Sequence, residues 1–85
     1  NNTVRNNILD RIVTDEQGDI WIIDYKTSTP GEAESQQHFI DREVAAYTPQ
    51  LAIYKTLLSK KLGGDQVIRT ALYFTHYPYW HEIML

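Results

Sequence analysis

The sequence predicts an α/β (α+β) domain in which one mixed β-sheet is flanked by a helix, with elements in the order β-β-α-β-β. Three features predict it. Two apolar stretches near the start, Val4–Val13 and Ile20–Thr27, flank a polar loop that contains a glycine. From His38 to Leu62 the apolar residues recur every three or four positions, the spacing of a helix. Two further strand-like stretches, Gln66–Thr75 and Trp80–Leu85, follow it. A strand, a helix and a strand in succession make a right-handed parallel crossover the expected connection, so the sheet mixes parallel and antiparallel pairs.

Val4–Val13 reads as a strand with Ile8, Asp10 and Ile12 on one face and Leu9, Arg11 and Val13 on the other, both faces partly covered. Asp15-Glu16-Gln17-Gly18 then supplies a hairpin connection. In the second strand Ile20, Ile22, Asp24 and Lys26 share one face, while Trp21, Ile23 and Tyr25 share the other. A hairpin symmetric about Gln17 places Asp10 opposite or nearly opposite Asp24. Thr27–Gln37 has low hydrophobicity and no period, and is expected to be a mobile loop. In the helical stretch Phe39 or Ile40, Val44, Tyr47, Leu51, Tyr54, Leu58 and Leu62 form an apolar stripe. Pro49 interrupts it. Either two helices meet there with Thr48 as a cap, or, as preferred, a helix over His38–Tyr47 runs with a kink into Thr48–Leu62. Lys60 and Lys61 suit the negative end of the helix dipole, and Gly63-Gly64 supplies a stop. Tyr77-Pro78-Tyr79 turns the chain into the last strand.

A chain of 85 residues, 42% of them hydrophobic, can bury one modest core, so residues 1–85 are expected to form a single domain. The sequence has no cysteine, which excludes zinc-thiolate sites, iron-sulfur clusters and disulfide frameworks and fits a reducing compartment; cytoplasm is the default expectation. No apolar run approaches the roughly 18 residues of a membrane span, and no basic-then-apolar leader opens the chain. The only methionine is Met84, so the chain is expected to be a truncated piece of a longer protein. A formal net charge of -3 argues against a stand-alone nucleic-acid binder, whose phosphate contacts need a basic face. It remains compatible with a catalytic module whose acids hold cations while neighbouring domains hold the nucleic acid.

The chemistry-bearing residues cluster at the end of the second strand. An apolar strand that finishes in Asp24-Tyr25-Lys26 brings charge to the end of a buried element, which is costly unless the charge is paired, hydrated or used. With Asp10 across the ladder, two carboxylates face one another and repel unless a cation sits between them. A magnesium ion takes a few hard oxygen ligands, so two aspartates, a backbone carbonyl and a phosphate oxygen suit it. Lys26, two residues on, could orient or deprotonate the attacking water and offset charge building on phosphorus. Such a set suits metal-assisted phosphodiester hydrolysis. The competing account of Asp24-x-Lys26 is a surface ion pair. Gln50 and Tyr54 lie one helical turn apart beside the apolar stripe; taken alone they read as a core tyrosine and its boundary neighbour, and only their combination with the strand motif gives them a role at the site.

Taken together, Ile8-Leu9-Asp10-Arg11-Ile12, Ile22-Ile23-Asp24-Tyr25-Lys26-Thr27-Ser28 and Tyr47-x-x-Gln50-Leu51-x-x-Tyr54 resemble the successive motifs of RecB-like nucleases in the PD-(D/E)xK superfamily. The resemblance covers roughly residues 4 to 85 and rests on the joint order and spacing of three motifs. It implies a restriction-endonuclease-like fold and a nuclease module of the kind that closes UvrD-like, AddA and RecB helicases in DNA repair and recombination. It further implies that Asp10, Asp24 and the carbonyl of Tyr25 ligate magnesium or manganese, that Lys26 is the catalytic lysine, and that Gln50 and Tyr54 help place the lysine and the DNA. Its implied partners are DNA and the helicase domains of the same parent. In such nucleases a further ligand, commonly histidine, comes from a helix before the first strand, and no such helix fits between Asn1 and Val4. The isolated chain is therefore expected to be weakly active or inactive, and its uncovered sheet face could support self-association. The alternative function is a nuclease-like module that binds DNA or scaffolds a subunit without cutting.

His38, His76 and His81 have no paired metal-ligand spacing and are set aside. Tyr73, Phe74, Tyr77, Tyr79 and Trp80 could stack bases, but strand packing explains them as well. Lys55, Lys60, Lys61 and Arg69 read as a solvated face, and Asp15-Glu16 as a polar turn.

Overall fold

The computed structural model describes residues 9–76 and 78–85, with residues 9 and 10 described by their backbone. Val4–Ile8 of the expected first strand, and Tyr77, lie outside the described residues. The elements are β1 (Leu9–Thr14), β2 (Ile20–Lys26), α1 (Gln36–Leu62), β3 (Ile68–Phe74) and β4 (Tyr79–Ile83). They form one four-stranded mixed sheet in the order β1-β2-β3-β4 with one helix, an α+β arrangement. β1 is antiparallel to β2, β2 is parallel to β3, and β3 is antiparallel to β4. β2 and β3 are parallel and α1 connects them, the mixed sheet that the sequence predicts.

Asp15 builds the first hairpin. Its Oδ1 accepts hydrogen bonds from the backbone N–H groups of Gln17 (2.9 Å) and Asp19 (3.0 Å), and its Oδ2 from Trp21 Nε1 at 2.8 Å. The Trp21 N–H is the largest influence holding this carboxyl below its ordinary range. Gly18 takes φ 87°, a left-handed conformation that glycine adopts without a Cβ penalty. The turn fixes the register that sets Asp10 against Asp24 and Ile12 against Ile22.

α1 is one continuous helix across Pro49. Thr48 is not a cap: its Oγ1 donates to the Val44 carbonyl at 2.7 Å within the helix. Proline removes the N–H that would reach Ala45, yet Ala45 and Pro49 are both exposed, so the carbonyl left over faces solvent. The start lies at Gln36 rather than His38 because Ser35 caps it, accepting from the His38 N–H at 3.1 Å. At the other end Gly63 takes φ 89°, with Lys60 and Lys61 in the last turn.

The helix covers one face of the sheet. Phe39, Ile40 and Leu51 pack with Ile22, Ile68, Leu72, Phe74 and Ile83, and Val44, Tyr47 and Leu58 close the margin. A helix of 27 residues is about 40 Å long, while a seven-residue strand spans only about 23 Å. The helix is therefore longer than the sheet it covers; in its C-terminal half Leu51 and Leu58 still meet the core, while Ile53, Leu57 and the expected stripe members Tyr54 and Leu62 are exposed. Ile12 is 60% exposed, so β1 is not covered on both faces as the sequence suggests. The opposite face is covered by side chains of the sheet itself: Trp21 meets Trp80, Trp80 meets Tyr73, and Tyr73 meets Tyr25. Arg69 lies over Trp21 and forms a two-pronged ion pair with Glu82 at 2.9 Å.

These differences in burial fix the expected mutational pattern. Phe74→Ala should cost about 3–5 kcal/mol and Leu51→Ala about 2–5 kcal/mol in urea unfolding, because each leaves a cavity under the helix. Ile53→Ala and Leu57→Ala, at exposed positions of the helix, should each stay within about 0.5 kcal/mol.

Candidate functional site

On a strand, alternate residues share a face, so the covered face that carries Ile20 and Ile22 must also carry Asp24 and Lys26. Both are buried, at 1% and 3% exposure, and Lys26 Nζ lies 3.0 Å from Asp24 Oδ2. The pair is thus an ion pair inside the domain, not on its surface. Taking two charges out of water costs several kcal/mol each, and two apolar side chains of the same volume would serve the fold about as well. Stability does not account for the pair.

Three elements hold it in place. Across the ladder, Asp10 is the register partner of Asp24. From the end of β3, the Thr75 N–H and Oγ1 donate to the Lys26 carbonyl at 2.9 and 3.2 Å, fixing the lysine's main chain. From α1, the Tyr47 ring lies beneath the ammonium, 3.1 Å from Nζ to the ring centroid. One turn earlier Glu43, also buried, accepts from Ser28 Oγ at 3.2 Å and so ties the residues just after Lys26 to the helix.

The segment between β2 and α1, expected to be mobile, is clamped. Arg42 grips both oxygens of Glu34 at 2.9 Å and reaches Glu43 at 2.8 Å. Glu34 also accepts from the Gly31 N–H at 2.9 Å and sits 2.7 Å from His38 Nδ1. Arg42 foremost, with the Gly31 N–H and His38 behind it, holds the Glu34 carboxyl down at about 2. The same pairing raises the Arg42 guanidinium above its ordinary value.

Among the residues singled out by sequence, the structure brings Asp24 to Lys26 and Gln50 to Tyr54. Gln50 Nε2 donates to Tyr54 Oη at 3.0 Å. Tyr54 lines an apolar groove of about 320 Å³ with Ile12, Ile22, Leu57, Leu58 and Lys61. Among the described residues no group of three or more His, Cys, Asp or Glu is gathered so as to hold a metal ion, and the side chain of Asp10 lies outside them. His38 is spent on Glu34, and His81 lies against the Tyr79 ring. Sequence reasoning gave Tyr47 a place in the stripe but no task, and gave Glu43 none. The signal for both was their spacing with Gln50 and Tyr54, since residues 43, 47, 50 and 54 fall on one line of a helix.

Residues 7–79 match the family profile described as the PD-(D/E)XK nuclease superfamily. The chain belongs to the PD-(D/E)XK nuclease superfamily. No curated protein and no solved structure matches it significantly. The mixed sheet with one helix, in the order β-β-α-β-β, is consistent with a restriction-endonuclease-like fold. Membership gives this PD-(D/E)XK chain a nuclease-like function and implies DNA binding, and nucleases of the superfamily generally use divalent metals. No described helix is long and apolar enough to cross a membrane.

The Glu34 clamp makes a pH-dependent prediction. A carboxyl whose value falls on folding from 4.5 to about 2 stabilises the fold fully above 4.5, and that contribution is lost as pH drops toward 2. Glu34→Gln should therefore lower the urea midpoint at neutral pH, and its gap from the parent should narrow steadily below pH 4.5. An equal gap at pH 7 and near pH 2 would show that Glu34 acts by packing alone.

Proposed function

We propose that this PD-(D/E)XK chain is a RecB-like deoxyribonuclease module of a DNA repair or recombination helicase, hydrolysing DNA phosphodiesters with magnesium or manganese. The observation that carries the reading is the buried Asp24–Lys26 pair at the end of β2, an arrangement that the fold does not need and that phosphodiester hydrolysis can use. The helicase placement is supported by the resemblance of its three motifs to those of RecB-like nucleases.

In this reading Asp24, Asp10 across the ladder and the Tyr25 carbonyl would hold the metal. All three are hard oxygen donors, the chemistry that suits magnesium and manganese. The bound metal would polarise the phosphodiester and make an attacking water easier to deprotonate. Lys26 offsets the charge that builds on the phosphate oxygens and orients the water. No hydroxyl or carbonyl among the described residues accepts a hydrogen bond from Lys26 Nζ, so donors remain for that task. Gln50 and Tyr54, bonded to each other on α1, would help place the lysine and the DNA. Asp24 and Lys26 are only 1% and 3% exposed, so bulk water is kept from the pair. The low dielectric around the pair strengthens each of these interactions.

The test is magnesium-dependent cleavage of DNA by the parent polypeptide that carries these residues. Asp24→Asn and Lys26→Met should each lower cleavage by at least about 100-fold, as for loss of a group that stabilises charge in the transition state. Far-UV circular dichroism checks that the variants fold. Cleavage at the parental rate by either folded variant would sink the assignment.

A further inference from the structure

A lysine that acts on a phosphate must keep its ammonium in one place, and its four-carbon stem resists this with several freely rotating bonds. Asp24 alone is a poor anchor. It lies two residues back on the same strand and bonds Nζ from one side only, at 3.0 Å. The second hold comes from another element: the Tyr47 ring on α1, 3.1 Å from Nζ to the centroid. The face of an aromatic ring carries negative potential and attracts a cation, most strongly where water is excluded. The Lys26 side chain is 4% exposed, so water is excluded here. The ring itself is held by the core cluster against which Tyr47 packs. One helical turn away, the Glu43–Ser28 bond keeps the strand end and the helix in register.

We propose that Tyr47 is a positioning residue for Lys26, its ring face seating the ammonium against Asp24 so that the remaining N–H donors are aimed at the scissile phosphate. The proposal rests on the nuclease reading above. It assigns the task to the ring and not to the hydroxyl. A hydrogen-bonding acceptor at this position would draw on a donor that the phosphate needs, whereas the ring holds the charge as a whole.

The test compares two variants in the parent polypeptide. Tyr47→Phe keeps the ring, and Tyr47→Leu keeps apolar bulk without it. Tyr47→Leu should lower kcat for DNA cleavage about tenfold or more with little change in KM, since small displacements of a reacting group cost this much. Tyr47→Phe should restore kcat to within about twofold of the parent. A second readout needs no cleavage: in NMR spectra the Lys26 side-chain protons next to Nζ should be displaced upfield by the ring in the parent and in Tyr47→Phe, and should return to ordinary lysine positions in Tyr47→Leu. If Tyr47→Leu does not fold, Tyr47→pentafluorophenylalanine keeps the shape and reverses the ring's potential, and should lower kcat in the same way. Parental kcat in Tyr47→Leu, or equal loss in Tyr47→Phe and Tyr47→Leu, would overturn the proposal, as would ordinary Lys26 shifts in the parent. Should the parent cleave no DNA, the nuclease reading fails while the NMR comparison still decides whether Tyr47 seats Lys26.

Discussion

The ion pair between Asp24 and Lys26 constrains everything built around it. Two opposite charges enclosed by apolar side chains are tolerable only at close range and with their surroundings fixed, because a buried charge that loses its partner has no water to turn to. The 3.0 Å separation therefore requires a β2 that does not slip, a helix that does not lift, and a chain after Lys26 that does not wander. The structure supplies each of these. The register of β1 on β2 is set by the Asp15 turn, the end of β2 is bonded to Thr75 beyond β3, and the following segment is tied back to α1 through Ser28 and Glu43.

The crossover explains why a helix can serve the site and the core together. A parallel β2–β3 pair needs a connection that returns over the sheet, and α1 makes it in one continuous element. It packs through Phe39, Ile40 and Leu51, and its N-terminal half presents Glu43 and Tyr47 to the strand end. In the C-terminal half Leu58 stays at the core margin while Ile53 and Leu57 are largely exposed. The helix thus closes over the pair at one end and leaves an apolar flank at the other. Pro49 falls near its middle on the exposed side, where a missing hydrogen bond costs least.

Much of this was legible in the sequence because it depends on period and on local chemistry. Alternation along Ile20–Lys26 placed Asp24 and Lys26 on one face, the loop length placed Asp10 opposite Asp24, and the change to helical spacing announced the crossover. What stayed hidden depends on contacts between distant residues. The acid pair Asp15-Glu16 looked like a polar turn because the Trp21 N–H that Asp15 accepts lies in the next strand. The segment after Lys26 looked loose because its low hydrophobicity conceals that Glu34, Arg42, Glu43 and Ser28 are joined by ion pairs and hydrogen bonds spanning up to fifteen positions. Trp21 and Tyr25 stood apart from the later aromatics in sequence, and only the sheet brings their rings to Trp80 and Tyr73 on the face away from the helix.

Tyr47 was hidden for a different reason: it belongs to two patterns at once. Counted by apolarity it is one more member of the buried stripe. Counted by polar tips it joins Glu43, Gln50 and Tyr54, which follow one another at four, three and four positions and so lie within about 60° on the helix surface. The antiparallel run of α1 over β2 gives that line its order. Tyr47 lies against Lys26 and Tyr54 beside Ile22, four residues apart on the strand and about 13 Å by strand rise. Seven helical residues separate the same two tyrosines, about 10 Å by helix rise. The line therefore runs along the strand in order, and Tyr47, the one member of it that also packs on the core, is the one that meets the lysine.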